Sequence, residues 1–157
     1  MIRYGNTIVN SSVVVRKSAI NLIGGISEER GCIGWEDYDT WLRLAENQKS
    51  FCKVDGILGY YWYGGENVST PNKIIQNIDE FILKYITIIN GESIPWWCHY
   101  SKGVNYFRLG KSKESVVSLC DALKSGTTII NKIKTILRLI QVKLMFFKKS
   151  NNCINQF

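Results

Sequence analysis

The 157-residue sequence holds no uninterrupted apolar run of the roughly 18 residues that a membrane-crossing helix requires. Its first residues, MIRYGNTIVNSS, have no long apolar core of the kind a signal peptide carries. The five cysteines are odd in number and none stands in a CxxC pair, which argues against both a disulfide framework and a zinc site. Free thiols in a reducing compartment are the simpler reading, and they place the chain in the cytoplasm. Histidine occurs once, at His99, within a helical stretch, and reads as an ordinary surface or packing residue. No long-period repeat is visible, so a solenoid is not expected.

Acidic residues are missing where basic ones are common. Residues 1–72 carry 7 basic and 8 acidic side chains, whereas residues 73–157 carry 13 and 5. From Lys124 to Lys149 there are seven basic residues and no acidic one. A solvated helical face explains such a bias in the simplest way, and an anionic membrane surface is the other partner it suggests. Nucleic acid is not expected, because no DNA- or RNA-binding motif accompanies the charge. With 45% hydrophobic and 21% charged residues, the chain is too apolar to be disordered.

The pattern along the chain changes character near residue 72. Before it, the β-branched run at 8–15 and the stretches 50–54 and 57–63 predict strands. A short helix is expected from Arg16 to Ile23, stopped by Gly24-Gly25. Another is expected over 36–46, with Tyr38, Trp41, Leu42 and Ala45 on one face and Asp39 able to pair with Arg43 at i,i+4. Beyond residue 72 the periodicity is helical: 73–90, a hairpin of 96–109 and 112–124 turning at Gly110, and a last helix at 128–148. The hairpin is similar to a single tetratricopeptide-like helix pair. The last helix carries an apolar stripe of Ile129, Ile133, Ile136, Leu137, Ile140, Leu144 and Phe147. Such a helix either packs that stripe on its neighbours or lies at a membrane interface.

The acidic cluster Glu36, Asp37 and Asp39 opens the helix at 36–46. Taken alone it reads as helix capping plus an Asp39–Arg43 pair. Its surroundings add more. In order, GNTIVNSSVVVRKSAINLIGG, WEDYDTWLRLAE and GILGYYWYGGENVS resemble family 2 glycosyltransferases over residues 4–69. The resemblance implies an α/β architecture for residues 1–72, the C-terminal part of a GT-A (Rossmann-like) catalytic domain, followed by an all-α tail at 73–157. It implies inverting transfer of a sugar from a nucleotide-sugar to an acceptor hydroxyl. Asp37 would be the general base, and Glu36 would position the acceptor or tune Asp37. Ser12, Trp41, Arg43 and Asn67 would lie on the substrate side, with packing the other role for Trp41 and the local ion pair the favoured role for Arg43. The family uses a nucleotide-sugar donor and a divalent metal, Mn or Mg.

The chain departs from the family in its metal ligands. Asp37-x-Asp39 spells DxD, but it opens a helix where the metal motif should follow an apolar strand. Gly64 stands where the family often has a histidine, and Trp62 where an arginine is usual. No residue here is assigned to metal. The expectation is therefore a segment without the family's nucleotide-binding half, whether a truncated frame, a fragment or one half of a split enzyme, inactive alone and located in the cytoplasm or peripherally at the inner face of the membrane. The competing reading is a non-enzymatic interaction module derived from such an enzyme.

Overall fold

A computed structural model describes residues 1–47, 50–57, 59–60, 70–89 and 94–154, with side chains for all of these except 86–89 and 146–154. The chain divides into two compact units, Met1–Thr70 and Pro71–Phe157.

In the first unit, a 3₁₀ turn at Asn10–Ser12 precedes helix α1, Lys17–Leu22. A second 3₁₀ turn at Arg30–Cys32 leads into α2, Glu36–Glu46. Helix α1 ends as its sequence predicts. Gly24 takes φ of +76°, and the amides of Gly24 and Gly25 donate back to the carbonyls of Asn21 and Ile20. That left-handed closure is open to glycine at little cost. Helix α2 buries Tyr38, Trp41, Leu42 and Leu44 beside Cys32 and Trp35. Ala45, expected on the buried face, is exposed, and Leu44 takes the inward place.

The α/β expectation is overturned. Among the described residues there is no strand and no sheet, only helices and irregular backbone. Residues 8–15 have extended backbone at Val9 and Val13, interrupted by the 3₁₀ turn, and Val14 is fully exposed. Residues 50–54 have no regular structure, and of 57–63 only 57, 59 and 60 are described, also without it. The physical reason is that a strand exists through its ladder. β-branched residues favour extended backbone, but without a neighbouring strand to take its N–H and C=O groups no sheet forms. Among the described residues, 1–72 therefore do not form a GT-A-like α/β architecture.

The second unit holds α3 (Pro71–Ile89), α4 (Trp96–Arg108), α5 (Ser112–Lys124) and α6 (Ile129–Ile154). Proline at the first position of α3 has no amide to leave unpaired there. Helix α3 packs on α4, α4 on α5 and α5 on α6. The core contains Ile75, Ile78, Phe81 and Tyr85 of α3, Cys98 of α4, Leu119 and Ala122 of α5 and Val142 of α6. Phe81 meets Trp97 at 5.2 Å between ring centroids, and Lys102 pairs with Asp79 at 2.6 Å across the α3–α4 contact. Between α4 and α5 the chain reverses at Gly110, φ +74°, again with amides folded back: Gly110 to Phe107 and Lys111 to Tyr106. The two helices then lie very close, because Gly103 presents no side chain to Leu119 and its carbonyl accepts the Ser115 hydroxyl at 2.8 Å.

Burial pushes the Cys98 thiol up to about 12, against the opposing influence of Lys102, so it stays protonated at neutral pH and is not a nucleophile. The half-buried His99 is lowered from 6.5 chiefly by burial, with Asp121 opposing and Lys102 and Lys124 adding to the shift. The folded chain thus binds this proton less tightly than the unfolded chain. The stability linked to the neutral ring is complete above the unfolded value of 6.5 and is lost as pH falls below it towards the lowered folded value. As His99 is the only histidine, His99→Gln is expected to flatten the decline in urea midpoint between about pH 7 and about pH 5.5. Parallel declines in both chains would refute this.

Candidate functional site

Helix α2 starts without a side-chain cap from its N-cap residue Trp35. Its acidic first turn supplies local partners instead. Glu36 Oε2 accepts the Gly34 amide at 2.6 Å, just outside the helix. Gly34 has φ of +91°, which allows the loop to present that amide. Thr40 Oγ1 donates to the Glu36 carbonyl at 2.7 Å.

The neighbouring carboxylates have opposite environments. Asp39 is wholly buried (0% exposed), and its Oδ2 accepts from Arg43 Nε at 2.8 Å. The same guanidinium donates through Nη1 to the carbonyl of Ile23, at the end of α1, at 2.6 Å. Arg43 therefore ties α2 to the C-terminus of α1, where a cation is favoured by the exposed carbonyls and the helix dipole. Asp37 is half-buried. Its Oδ2 accepts from the neutral amide of Asn6 at 3.2 Å, and its Oδ1 from the Tyr38 amide at 2.7 Å. Asn6 is oriented in turn, since its Oδ1 accepts the Ile8 amide at 3.1 Å. The Tyr38 hydroxyl donates to the Met1 carbonyl at 3.3 Å, so residues 1–8 are held to the start of α2 at two points.

Of the residues singled out in the sequence, Glu36 and Asp37 sit together on the first turn of α2. Trp41 is buried in the core at 4% exposure. Its indole N–H has no acceptor among the described residues. Arg43 forms the ion pair that its spacing predicted. Ser12 is exposed and spends its hydroxyl on the Val9 carbonyl at 2.7 Å. Asn67 lies outside the described residues, as do Trp62 and Gly64. Sequence reasoning missed Asn6. Its only local signal was the tendency of asparagine to bond the amide two residues on.

The residues fit a divalent metal poorly. Among the described residues no three His, Cys, Asp or Glu side chains gather in one place. Asp39 is committed to Arg43, so it and Asp37 do not form a shared ligand pair. No protein-family model, no curated protein and no solved structure matches the chain.

Arg43→Met would leave the Asp39 carboxylate buried without its cation and the Ile23 carbonyl without its donor. Breaking a buried pair from one side costs about 3–5 kcal/mol. Arg43 is 22% exposed, which admits some water, so the expected loss in urea-derived stability is about 2–3 kcal/mol. The pair Asp39→Asn with Arg43→Met should cost less than the sum of the single changes. A loss under about 0.5 kcal/mol for Arg43→Met, the range of an ordinary surface change, would contradict the tether.

Proposed function

We propose that the first unit carries the acceptor side of an inverting sugar transfer, with Asp37 as the general base and a nucleotide-sugar as donor. The observation that supports it most is the contrast within the Glu-Asp motif. Asp39 is sealed and paired with Arg43, whereas Asp37 is half-buried, in part open to solvent, and held by a neutral amide. A carboxylate locked to a guanidinium is a poor proton acceptor, while one reachable from solvent can take the proton of an acceptor hydroxyl as its oxygen bonds to the anomeric carbon and the nucleoside diphosphate leaves with the electrons of its own bond to that carbon. Asn6 orients the carboxylate, and Glu36 shapes the turn before it through Gly34. The reading rests on these side chains and on the ordered motifs of residues 4–69, not on a sheet. The donor would be held by a separate nucleotide-binding half.

The test combines this chain with an upstream-encoded nucleotide-binding segment and measures nucleoside diphosphate release from a panel of nucleotide-sugars. Release that depends on added hydroxyl acceptor, and is absent with either part alone, is the expected result. No acceptor-dependent release from any combination would remove the enzymatic reading and leave an interaction module, which the exposed apolar side of α6 favours.

A further inference from the structure

Helix α6 does not bury the apolar stripe its sequence displays. The inward positions are Thr135 and Val142, fully buried, with Asn131 and Leu139 half-buried beside them. Thr135 accepts a hydrogen bond from the Trp96 indole of α4 at 2.9 Å, fixing this face. The stripe looks the other way: Ile129 is 76%, Leu137 62% and Leu144 65% exposed, with Ile133, Ile136 and Ile140 about half. At about 100° per residue, the centre of the stripe lies roughly 165° around the helix from the packed face. Lys132 and Lys143 flank it on one side and Lys134 on the other, all three exposed. Arg138 is half-buried towards the packed side and donates to Gln141 at 2.7 Å. No helix among the described residues is long and apolar enough to cross a membrane.

We propose that the outward face of α6 docks flat on an anionic lipid bilayer, with Ile129, Ile133, Leu137, Ile140 and Leu144 in the headgroup–acyl boundary and Lys132, Lys134 and Lys143 against lipid phosphates. Charge selects this occupant. No aspartate or glutamate occurs from residue 122 to residue 157. A second copy would set lysines beside lysines with no carboxylate to offset them, which is repulsive. A bilayer surface offers a plane of anionic headgroups above apolar chains. That matches a stripe flanked by lysines, whose stems lie along the apolar layer while their ammonium groups reach the headgroups. The proposal is independent of the reading of Asp37.

The full-length chain is sedimented with phosphatidylcholine vesicles with and without phosphatidylserine. Binding is expected to the phosphatidylserine vesicles and to be released when salt rises from about 0.1 M to about 1 M, as the screening length falls from about 10 Å to about 3 Å. Lys132→Gln/Lys134→Gln/Lys143→Gln should weaken the partitioning about a hundredfold, because each cation near an anionic surface contributes on the order of a fivefold gain. Leu137→Asp/Leu144→Asp should abolish binding while leaving the helical circular dichroism unchanged, since both side chains are already exposed. Equal binding to both vesicle types, no binding, or unaltered binding by the variants would overturn the proposal. So would self-association in lipid-free buffer that Leu137→Asp/Leu144→Asp abolishes, which would give the stripe to a second copy. Binding to polyglutamate but not to vesicles would give it to an acidic protein.

Discussion

Under the proposed sugar transfer, with a nucleotide-binding segment supplied, Asp37→Asn is expected to reduce acceptor-dependent turnover by about a hundredfold to ten-thousandfold, the range that positioned proton transfer supplies. The change is nearly isosteric. The amide oxygen can still accept from Asn6, and nothing in the core moves, so the urea midpoint should stay within the range of a surface substitution. The proton of the attacking hydroxyl would then have no acceptor at 37. Asn6→Ala is the informative companion: it removes the bond that orients Asp37 and leaves the carboxylate in place, so it should cause a smaller loss. Near-normal turnover by Asp37→Asn would refute the base assignment. A large loss that follows from unfolding would show instead that Asp37 serves as a helix-turn partner.

The second large effect belongs to the α4–α5 crossing. A methyl group added at Gly103 would lie 2.6 Å from Leu119 Cγ, 2.8 Å from its Cδ2 and 3.3 Å from its amide nitrogen. Leu119 is completely buried. Alanine gains about 1 kcal/mol over glycine in a helix. Overpacking costs typically about 1–3 kcal/mol, and here it falls partly on backbone, so Gly103→Ala should destabilise by about 1 kcal/mol net. Gly103→Val adds further bulk at the same point and loses the propensity gain, and about 3 kcal/mol is expected. Leu119→Ala alone should cost about 2–5 kcal/mol. The double variant Gly103→Ala/Leu119→Ala should cost less than the sum, because the new methyl occupies the vacated volume. Stabilisation by Gly103→Ala in urea denaturation would show that the helices are not held at this distance.

What was legible in the sequence was local. The ends of α1 and α4 follow from Gly24-Gly25 and Gly110, because a left-handed residue closes a helix within its own turn. The Asp39–Arg43 pair follows from one turn of helix. The strands were misread because β-branched residues at 8–15 report only a preference for extended backbone, and the partner that makes a strand is not a local property. The contact of Asn6 with Asp37 spans 31 residues, so no spacing rule could supply it. Periodicity drew the apolar stripe of α6 correctly but could not say which side would be buried. The inward side is chosen by Thr135 and Val142, with the Trp96 indole fixing it, and the period of the larger apolar residues points away from it.

The seam that holds α6 has a dynamic consequence. Phe81 and Tyr85 of α3 and Leu119 of α5 are large buried side chains, whereas among the described side chains of α6 the fully buried ones are Thr135 and Val142. A helix seated on small side chains such as these is expected to open at a lower free energy than helices held by large ones. Its amides should therefore exchange with solvent deuterium sooner than those of α4 and α5, and in a separate step. Exchange of the α6 amides in step with those of α4 would show instead that the Thr135 seam holds as firmly as the rest of the unit.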